Sequence, residues 1–399
     1  MVRINENYLR LPASYLFSEI ARRAREFQAA NPDARLMRLG IGNTTEPLAP
    51  SVIKGLHDGV EKLAHVETYS GYGDEQGDAA LRRRIAEVKY GERGLAIEPD
   101  EIFISDGAKS DTANIQSLFD PFAVVAIQDP AYPVYVDTNV IAGRESFVSM
   151  ACTEANGFVP SVPSIHADII YICSPNNPTG AVATRANLEA FVAYALANDA
   201  IILYDAAYEC FIRDRDLPRS IYEIVGARKC AIELGTFSKE AGFTGVRLGW
   251  TVVPKGLAID AKNPRSVNEL WNRRQTTFFN GASNVAQSGG LAALTPEGRH
   301  ENDAIIELYM ANGTVIREGL QSVGLTVYGG TNAPYVWAKC PAGYDSWAFF
   351  DKMLDEAHVI TTPGSGFGPG GEGFLRLSAF GHPESIRRAV DSIRSNVRL

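Results

Sequence analysis

The chain has 399 residues, of which 45% are hydrophobic and 21% are charged, and its formal net charge is −9 at pH 7. This composition is typical of a globular protein with a large core, which we expect to form two closely joined domains. The negative charge argues against a nucleic-acid-binding protein, and no apolar stretch approaches the roughly 20 residues that cross a bilayer.

The five cysteines and six histidines show no spacing that predicts a metal site. The cysteines are odd in number and include no Cys-x-x-Cys pair, so we expect free thiols in a reducing compartment. The N-terminal residues lack the basic and apolar segments of a secretory signal. Together these features predict a cytoplasmic protein without a bound metal, a membrane partner or a nucleic-acid partner.

The N-terminal part of the chain predicts helices at residues 16–30, 50–64 and 78–88, and a short strand at 36–39. A glycine-containing turn at 40–47 follows the strand. The loop at 69–77 contains three glycines and two tyrosines. Such a loop presents an aromatic ring from a tightly bent backbone, although the two tyrosines would also suit the core.

Short apolar runs alternate with helical patterns in the following part of the chain. The runs lie at 102–105, 123–127, 146–151, 168–172, 200–203, 229–234 and 248–253. Apolar strands that alternate with helices predict a mostly parallel sheet with both faces covered. Ligands of such sheets lie beyond the carboxyl ends of the strands. We therefore expect five polar clusters to meet at one edge of the sheet: 105–109, 129–132, 174–180, 204–208 and 236–239.

Three features of these clusters indicate chemistry. Lys239 lies in a short polar loop, where desolvation would lower its pKa and let its amine attack a carbonyl; the alternative is a surface lysine in a glycine loop. Gly107 and Ala108 open a helix and would offer N–H groups to an anion such as phosphate. Asp205 ends a hydrophobic strand, where a carboxylate is costly unless a cation or a protonated ring nitrogen meets it.

Three segments in order carry a family resemblance. Ser-Pro-Asn-Asn-Pro-Thr-Gly at 174–180, Tyr-Asp-Ala-Ala-Tyr at 204–208, and Ser-Lys at 238–239 followed by Arg247 resemble the pyridoxal-phosphate aminotransferases of fold type I. The resemblance implies pyridoxal 5′-phosphate as cofactor. It also implies an α/β fold, with a mostly parallel sheet sandwiched by helices, and a smaller α+β domain. The implied domains are a large cofactor-binding domain at 46–284 and a small domain made of 1–45 plus 285–399.

Further segments are similar to the family of LL-diaminopimelate aminotransferases, namely 40–48, 71–77, 104–109, 128–133 and 277–283. That resemblance implies transamination between LL-2,6-diaminopimelate and 2-oxoglutarate, with tetrahydrodipicolinate and glutamate on the other side, in lysine and peptidoglycan biosynthesis. Ser70 departs from the family, which commonly has arginine there, and Asn43 stands where aspartate is usual. The first departure affects the loop that carries Glu75, so a related dibasic or dicarboxylic substrate stays open.

The resemblance implies catalytic roles for three residues. Lys239 would form the Schiff base with the cofactor and then move the substrate proton. Asp205 would pair with the ring nitrogen, and Tyr208 would bind the ring 3-oxygen. The other implied cofactor contacts are Ala108, Lys109, Tyr132, Asn177, Thr236, Ser238 and Arg247, with Tyr72 supplied by the second subunit of a homodimer.

The resemblance also implies a substrate site. Arg376 would bind the α-carboxylate through two N–H donors, assisted by Gly42 and Asn177; the alternative is an exposed strand arginine, which its apolar neighbours disfavour. Glu75 has an ordinary alternative role, stabilising the first turn of the next helix. The residues implied at the distal end of the substrate are Glu75 and Asn280 of the partner subunit, together with Tyr15, Lys109 and Tyr132.

Three alternative functions remain open at this point. A related aminotransferase for another dicarboxylic, dibasic or aromatic amino acid would share everything except the distal pocket. A lyase or synthase on the same fold would keep Lys239 and Asp205 but would form no glutamate. A ligand-sensing transcription regulator would need a DNA-binding module ahead of the fold.

Overall fold

The computed structural model describes residues 2–11, 16–257 and 265–398 of the chain. Tyr15, which was predicted to contact the substrate, lies outside the described residues. Within these ranges the strands are β1 (Met37–Arg38), β2 (Ile102–Ser105), β3 (Val125–Asp129), β4 (Phe147–Ala151), β5 (Ile169–Cys173), β6 (Ile201–Asp205), β7 (Ala231–Thr236), β8 (Gly249–Val252), β9 (Val327–Gly329), β10 (Tyr335–Lys339), β11 (Val359–Ile360), β12 (Thr362–Pro363) and β13 (Phe374–Ser378).

The α-helices alternate with these strands over much of the chain. They are α1 (Leu16–Ala30), α2 (Pro50–Glu61), α3 (Ala79–Ile85), α4 (Ala108–Asn114), α5 (Val134–Ile141), α6 (Arg185–Ala197), α7 (Phe237–Glu240), α8 (Val267–Phe278), α9 (Asn284–Ala293), α10 (Pro296–Ser322), α11 (Ser346–Ala357) and α12 (Pro383–Asn396). No helix in the described ranges has both the length and the hydrophobicity that a membrane crossing requires.

A seven-stranded sheet forms the centre of the fold, in the order β2-β8-β7-β6-β5-β3-β4. All neighbouring pairs are parallel except the two made by β8, which runs antiparallel to β2 and to β7. Every residue of β5 and β6 is buried, because helices cover both faces and leave no solvent-facing side. The predicted α/β class and the mostly parallel sheet are confirmed.

A second, four-stranded antiparallel sheet has the order β12-β13-β10-β9 and packs with α10 and α11, and α12 packs on these two helices. Near it, β1 pairs in parallel with β11, in the register Met37 to Val359 and Arg38 to Ile360. Buried residues of α1 join the same core. The N-terminal segment therefore associates with the C-terminal part of the chain, which supports the smaller α+β unit, while the boundaries at 45/46 and 284/285 stay a prediction.

A buried ionic cluster lies behind the single helical turn α7. The Nζ atom of Lys89 is 2.9 Å from a carboxylate oxygen of Glu209 and 2.5 Å from one of Glu240. Arg93 donates to the other oxygen of Glu209 at 2.9 Å. Burial alone would lower the pKa of Lys89, but the two carboxylates reverse that effect and raise it. Since Glu240 directly follows Lys239, this cluster anchors the turn that carries the lysine.

Replacing Lys89 with methionine should destabilise the fold by about 3 kcal/mol, because the substitution leaves a buried carboxylate without its cation. Urea unfolding of the purified protein would measure the change. The matched control is Lys54→Met, which removes an exposed pair with Asp58 on one face of α2 and should leave the unfolding midpoint nearly unchanged. Equal midpoints for the two variants would contradict the structural role given to Lys89.

Candidate active site

A cavity of about 380 Å³ lies at the carboxyl edge of the seven-stranded sheet. Each of the five polar clusters predicted to meet there contributes to its wall. The contributing residues include Ala108 after β2, Tyr132 after β3, Asn177 after β5, Asp205 at the end of β6 and Lys239 after β7. The expectation that these clusters share one edge is therefore confirmed, because β2, β3, β5, β6 and β7 all run in the same direction.

Lys239 projects from α7 into this cavity. Its amine donates a hydrogen bond to the backbone carbonyl of Gly42 and lies 5.3 Å from the ring centre of Phe380. Burial lowers the pKa of the amine to about 8, and the positive charges of Arg376 and Arg247 act in the same direction. A sizeable fraction of the amine is therefore neutral and nucleophilic near physiological pH, although Lys239 lies in the helical turn α7 rather than in the predicted polar loop.

Asp205 forms the buried floor of the cavity at the end of β6. One carboxylate oxygen accepts the hydroxyl hydrogen of Tyr135 at 2.6 Å, and the other accepts the backbone N–H of Ala207 at 3.0 Å. Burial raises the pKa of Asp205, and these two hydrogen bonds only partly offset it. A protonated ring nitrogen in the cavity would favour the ionised carboxylate and would itself keep its proton. The residue thus suits a cationic heterocycle.

Hydroxyl groups and a guanidinium converge at one end of the cavity. Thr236 Oγ1 bonds to Ser238 Oγ at 3.0 Å, and Arg247 Nη1 approaches Ser238 Oγ at 3.4 Å. Arg247 has a left-handed φ of 69°, which is uncommon for a residue with a side chain and points to a positional constraint. Gly107 has a φ of 126°, and a Cβ there would lie 2.4 Å from Arg247 Nη2. A side chain at position 107 would displace the Arg247 guanidinium from the turn that begins α4. The guanidinium, the hydroxyls and this turn together give this end of the cavity the chemistry of a phosphate site.

Arg376 lies in β13 and is only 1% exposed, so it is not the exposed strand arginine of the alternative. Its guanidinium donates to Asn177 Oδ1 at 2.7 Å and to the Gly40 carbonyl at 2.6 Å. The rings of Tyr335 and Phe367 lie 4.6 Å and 4.8 Å from its central carbon. Its Nε has no hydrogen-bond partner among the described residues. A buried guanidinium with an unused donor at the cavity wall is suited to a carboxylate ligand.

Tyr72, Glu75 and Asn280, which were predicted to serve the partner's site, lie outside this cavity and are exposed. The segments that carry them pack together, since a Cβ on Gly281 would lie 3.0 Å from the Asp74 carbonyl. The side chain of Asn284 also donates to Ser70 Oγ at 2.9 Å. The three residues therefore form one surface, here called the loop patch, and the unusual Ser70 is part of the contact that holds it.

Several residues of the cavity were missed by sequence reasoning. Tyr135 follows Tyr132 by three positions, and this spacing at the start of a helix was the only local signal for it. Tyr335 opens β10, and no motif surrounds it. The cavity is also lined by Phe17, Ile41, Asn43, Thr112, Cys173, Ala207 and Thr244. The described residues contain no group of three or more histidine, cysteine, aspartate or glutamate side chains placed to hold a metal ion.

The fold and the residues at the carboxyl edge of its sheet are those expected of a pyridoxal-phosphate enzyme of fold type I. A model of the family "Aminotransferase class I and II" matches residues 34–393. The chain belongs to this family, whose members use pyridoxal 5′-phosphate.

Solved structures agree with this assignment. The L,L-diaminopimelate aminotransferase of Chlamydomonas reinhardtii is 50% identical, with a TM-score of 0.93, over 99% of this chain and 98% of that one. An aminotransferase from Mycobacterium tuberculosis is 25% identical, with a TM-score of 0.85, over 99% and 98%. The aromatic aminotransferase of Pyrococcus horikoshii is also 25% identical, with a TM-score of 0.81, over 93% and 98%.

The lowered pKa of Lys239 predicts how cofactor uptake depends on pH. Covalent attachment of pyridoxal 5′-phosphate to the apoprotein should become faster as the pH rises, with a midpoint near pH 8, because only the neutral amine attacks. Arg376→Gln should move this midpoint to higher pH, since it removes a positive charge that lowers the pKa. Stopped-flow absorbance would follow the reaction, and Lys239→Ala should show none. A rate independent of pH between about 6 and 9 would contradict the assignment.

Proposed function

We propose that the chain catalyses transamination between LL-2,6-diaminopimelate and 2-oxoglutarate, with tetrahydrodipicolinate and glutamate as the other pair. The main support is the 50% identity, over nearly the whole of both chains, to the L,L-diaminopimelate aminotransferase of Chlamydomonas reinhardtii. The aromatic aminotransferase of Pyrococcus horikoshii shares only half that identity. The reaction would serve lysine and peptidoglycan synthesis in the cytoplasm, where the five free cysteines would stay reduced.

The cavity residues would hold the cofactor at its phosphate, its ring nitrogen and its ring oxygen. The phosphate would occupy the cradle of Arg247, Ser238 and the turn at Ala108. Asp205 would keep a proton on the ring nitrogen, and Tyr208 would donate to the ring oxygen. When bound, pyridoxal 5′-phosphate supplies an aldehyde that bonds to amines and a ring that withdraws electrons from the adjoining carbon. The further contacts proposed are those of Lys109, Tyr132, Asn177 and Thr236.

Two residues would carry the proton transfer and the orientation of the substrate. Lys239 Nζ would remove the proton from the substrate Cα and return it to C4′ of the cofactor, because a pKa of about 8 allows the amine both to bind and to release a proton. Arg376 would fix the α-carboxylate beside it through its unused Nε donor and one terminal N–H. The Gly42 backbone and Asn177, whose Oδ1 already accepts from Arg376, would assist Arg376 with the carboxylate.

The distal amine and carboxylate of the substrate would be met by a different set of residues. Within the chain's own cavity, Lys109 and Tyr132 lie near each other, with the Lys109 amine 6.0 Å from the tyrosine ring centre. The carboxylate of Glu75 and the amide of Asn280 lie in the loop patch, so a second copy of the chain would have to bring them to the cavity. We therefore include a homodimer with shared active sites in the proposal.

The surface around the loop patch suits burial against another chain. Four largely exposed side chains belong to the patch or precede its segments in the chain, and Tyr72 among them is 88% exposed. They are Val66, Tyr69, Tyr72 and Phe278. Exposed aromatic and aliphatic groups grouped in this way are typical of protein interfaces. A second copy of the chain would cover them and at the same time complete the substrate site.

A panel of amino donors tests the substrate. With 2-oxoglutarate as acceptor, LL-diaminopimelate should give the highest kcat/KM, followed at a distance by meso-diaminopimelate, lysine and aspartate. The physical reason is that only the LL isomer places both an amine and a carboxylate at the distal end in the matching configuration. Coupled detection of glutamate would measure the rates, and faster turnover of another donor would assign the enzyme to that substrate instead.

Mixed dimers test the shared site. Glu75→Ala should lose roughly ten-fold in kcat/KM for LL-diaminopimelate, because the distal ammonium loses its acceptor. Unfolding and refolding this variant together with inactive Lys239→Ala should restore about a quarter of the wild-type activity, since half of the random dimers then contain one intact site. Glutamate formation after mixing would be the measurement.

The matched control for this experiment is a mixture of Lys239→Ala with Asp205→Asn. Both of these residues come from the same chain's cavity, so no mixed dimer has an intact site and activity should stay absent. Recovery in both mixtures, or in neither while native mass spectrometry shows mixed dimers, would contradict a site shared between subunits.

A further inference from the structure

Tyr335 lines the cavity between Tyr208 and Arg376. It begins β10 and is 1% exposed. Its hydroxyl oxygen lies 2.9 Å from that of Tyr208, and its ring lies against the guanidinium of Arg376. A Cβ on Gly42 would lie 2.5 Å from the Tyr335 hydroxyl oxygen, so the residue also restricts position 42 to glycine.

We infer that Tyr335 is a positioning residue, which donates its hydroxyl hydrogen to Tyr208 and so holds Tyr208 as a donor to the ring oxygen of the cofactor. This inference rests on the proposed function, in which Tyr208 binds that oxygen. The two tyrosines would form a relay: the Tyr335 hydroxyl donates to the Tyr208 hydroxyl, which in turn donates to the ring oxygen.

Counting hydrogens gives the direction of the relay. A tyrosine hydroxyl carries one hydrogen and can also accept. If Tyr208 directs its hydrogen to the ring oxygen, its own oxygen is left to accept, and the hydroxyl of Tyr335 is the donor placed at hydrogen-bond distance. Burial raises the pKa of both phenols, so both keep their hydrogens near neutral pH.

The relay has a chemical consequence that packing alone would not have. A hydroxyl that accepts a hydrogen bond becomes a stronger donor, and the effect is larger in a buried site. Tyr335 would therefore strengthen the bond from Tyr208 to the ring oxygen and stabilise negative charge there. Phenylalanine at 335 would fill the same space and keep the ring against Arg376, but it would remove this effect.

The visible absorbance of the bound cofactor reports on this charge. When the nitrogen that joins the cofactor to Lys239 loses its proton, the ring oxygen keeps a negative charge without a neighbouring positive one. A donor on that oxygen favours the deprotonated form and lowers the pH midpoint of the absorbance change. Weakening the donor should therefore raise the midpoint.

The experiment is a pH titration of the absorbance of the holoenzyme and its Tyr335→Phe variant. The variant should have a midpoint higher by about 0.1 to 0.5, because the bond from Tyr208 remains and loses only the strengthening that Tyr335 gives it. The KM for the amino donor should change little, because the ring against Arg376 remains. Tyr222→Phe is the matched control: its buried hydroxyl donates to the backbone carbonyls of Ala231 and Val252, away from the cavity, and its midpoint should equal that of the wild type.

A double-mutant cycle separates this inference from the proposed function. Tyr208→Phe should raise the midpoint by itself, and adding Tyr335→Phe should then cause no further change, because Tyr335 acts through Tyr208. An unchanged midpoint in Tyr208→Phe would reject the role of Tyr208 in the proposed function. A shift in Tyr208→Phe with none in Tyr335→Phe, or an undiminished effect of Tyr335→Phe in the double variant, would overturn the relay.

Discussion

The active site depends on a lysine amine that is enclosed in protein beside two guanidinium groups. Burial, Arg376 and Arg247 all lower the pKa of Lys239. The same two arginines are the groups proposed to bind the substrate carboxylate and the cofactor phosphate, so in that proposal the cations that bind the anionic ligands also prepare the nucleophile. Such a concentration of positive charge costs stability in the free protein, and the backbone must hold the three side chains in place.

The backbone meets this requirement at a few positions with unusual geometry. Arg247 adopts a left-handed φ, and Gly107 leaves room for its guanidinium. Behind the lysine, the neighbouring Glu240 is paired with the buried Lys89. The turn that carries Lys239 is thus held from its buried side by an ion pair and from the cavity side by the Gly42 carbonyl. These contacts link residues from distant parts of the chain, which is why the site forms only when the sheet and the N-terminal segment come together.

Much of this arrangement could be predicted from the sequence, because it depends on local residue patterns and on the common direction of the parallel strands. Leu16–Ala30 and Ile102–Ser105 have the predicted bounds, and the edge shared by the five clusters follows from parallel strands with apolar runs. Tyr135 and Tyr335 could not be predicted, because their contacts depend on how α5 and β10 pack against the sheet rather than on a local pattern. The register that places Trp337 opposite Arg376, and so Tyr335 near the cavity, is a long-range property of the small sheet.

The location of Glu75 has a consequence for specificity. In the proposed function, most residues of the chain's own cavity contact features common to all α-amino acids, namely a carboxylate, an amine and the hydrogen on Cα, and only Lys109 and Tyr132 are assigned to the distal end. The aromatic aminotransferase of Pyrococcus horikoshii has the same fold at 25% identity, so the fold itself does not select a substrate. Selection must then come from groups that contact the distal end, and Glu75 and Asn280 lie on the loop patch, outside the cavity of the single chain. In the proposed homodimer the patch reaches a cavity across the interface. Substrate choice and subunit association would then be properties of the same surface, and a change such as Ser70 in that surface would alter both together.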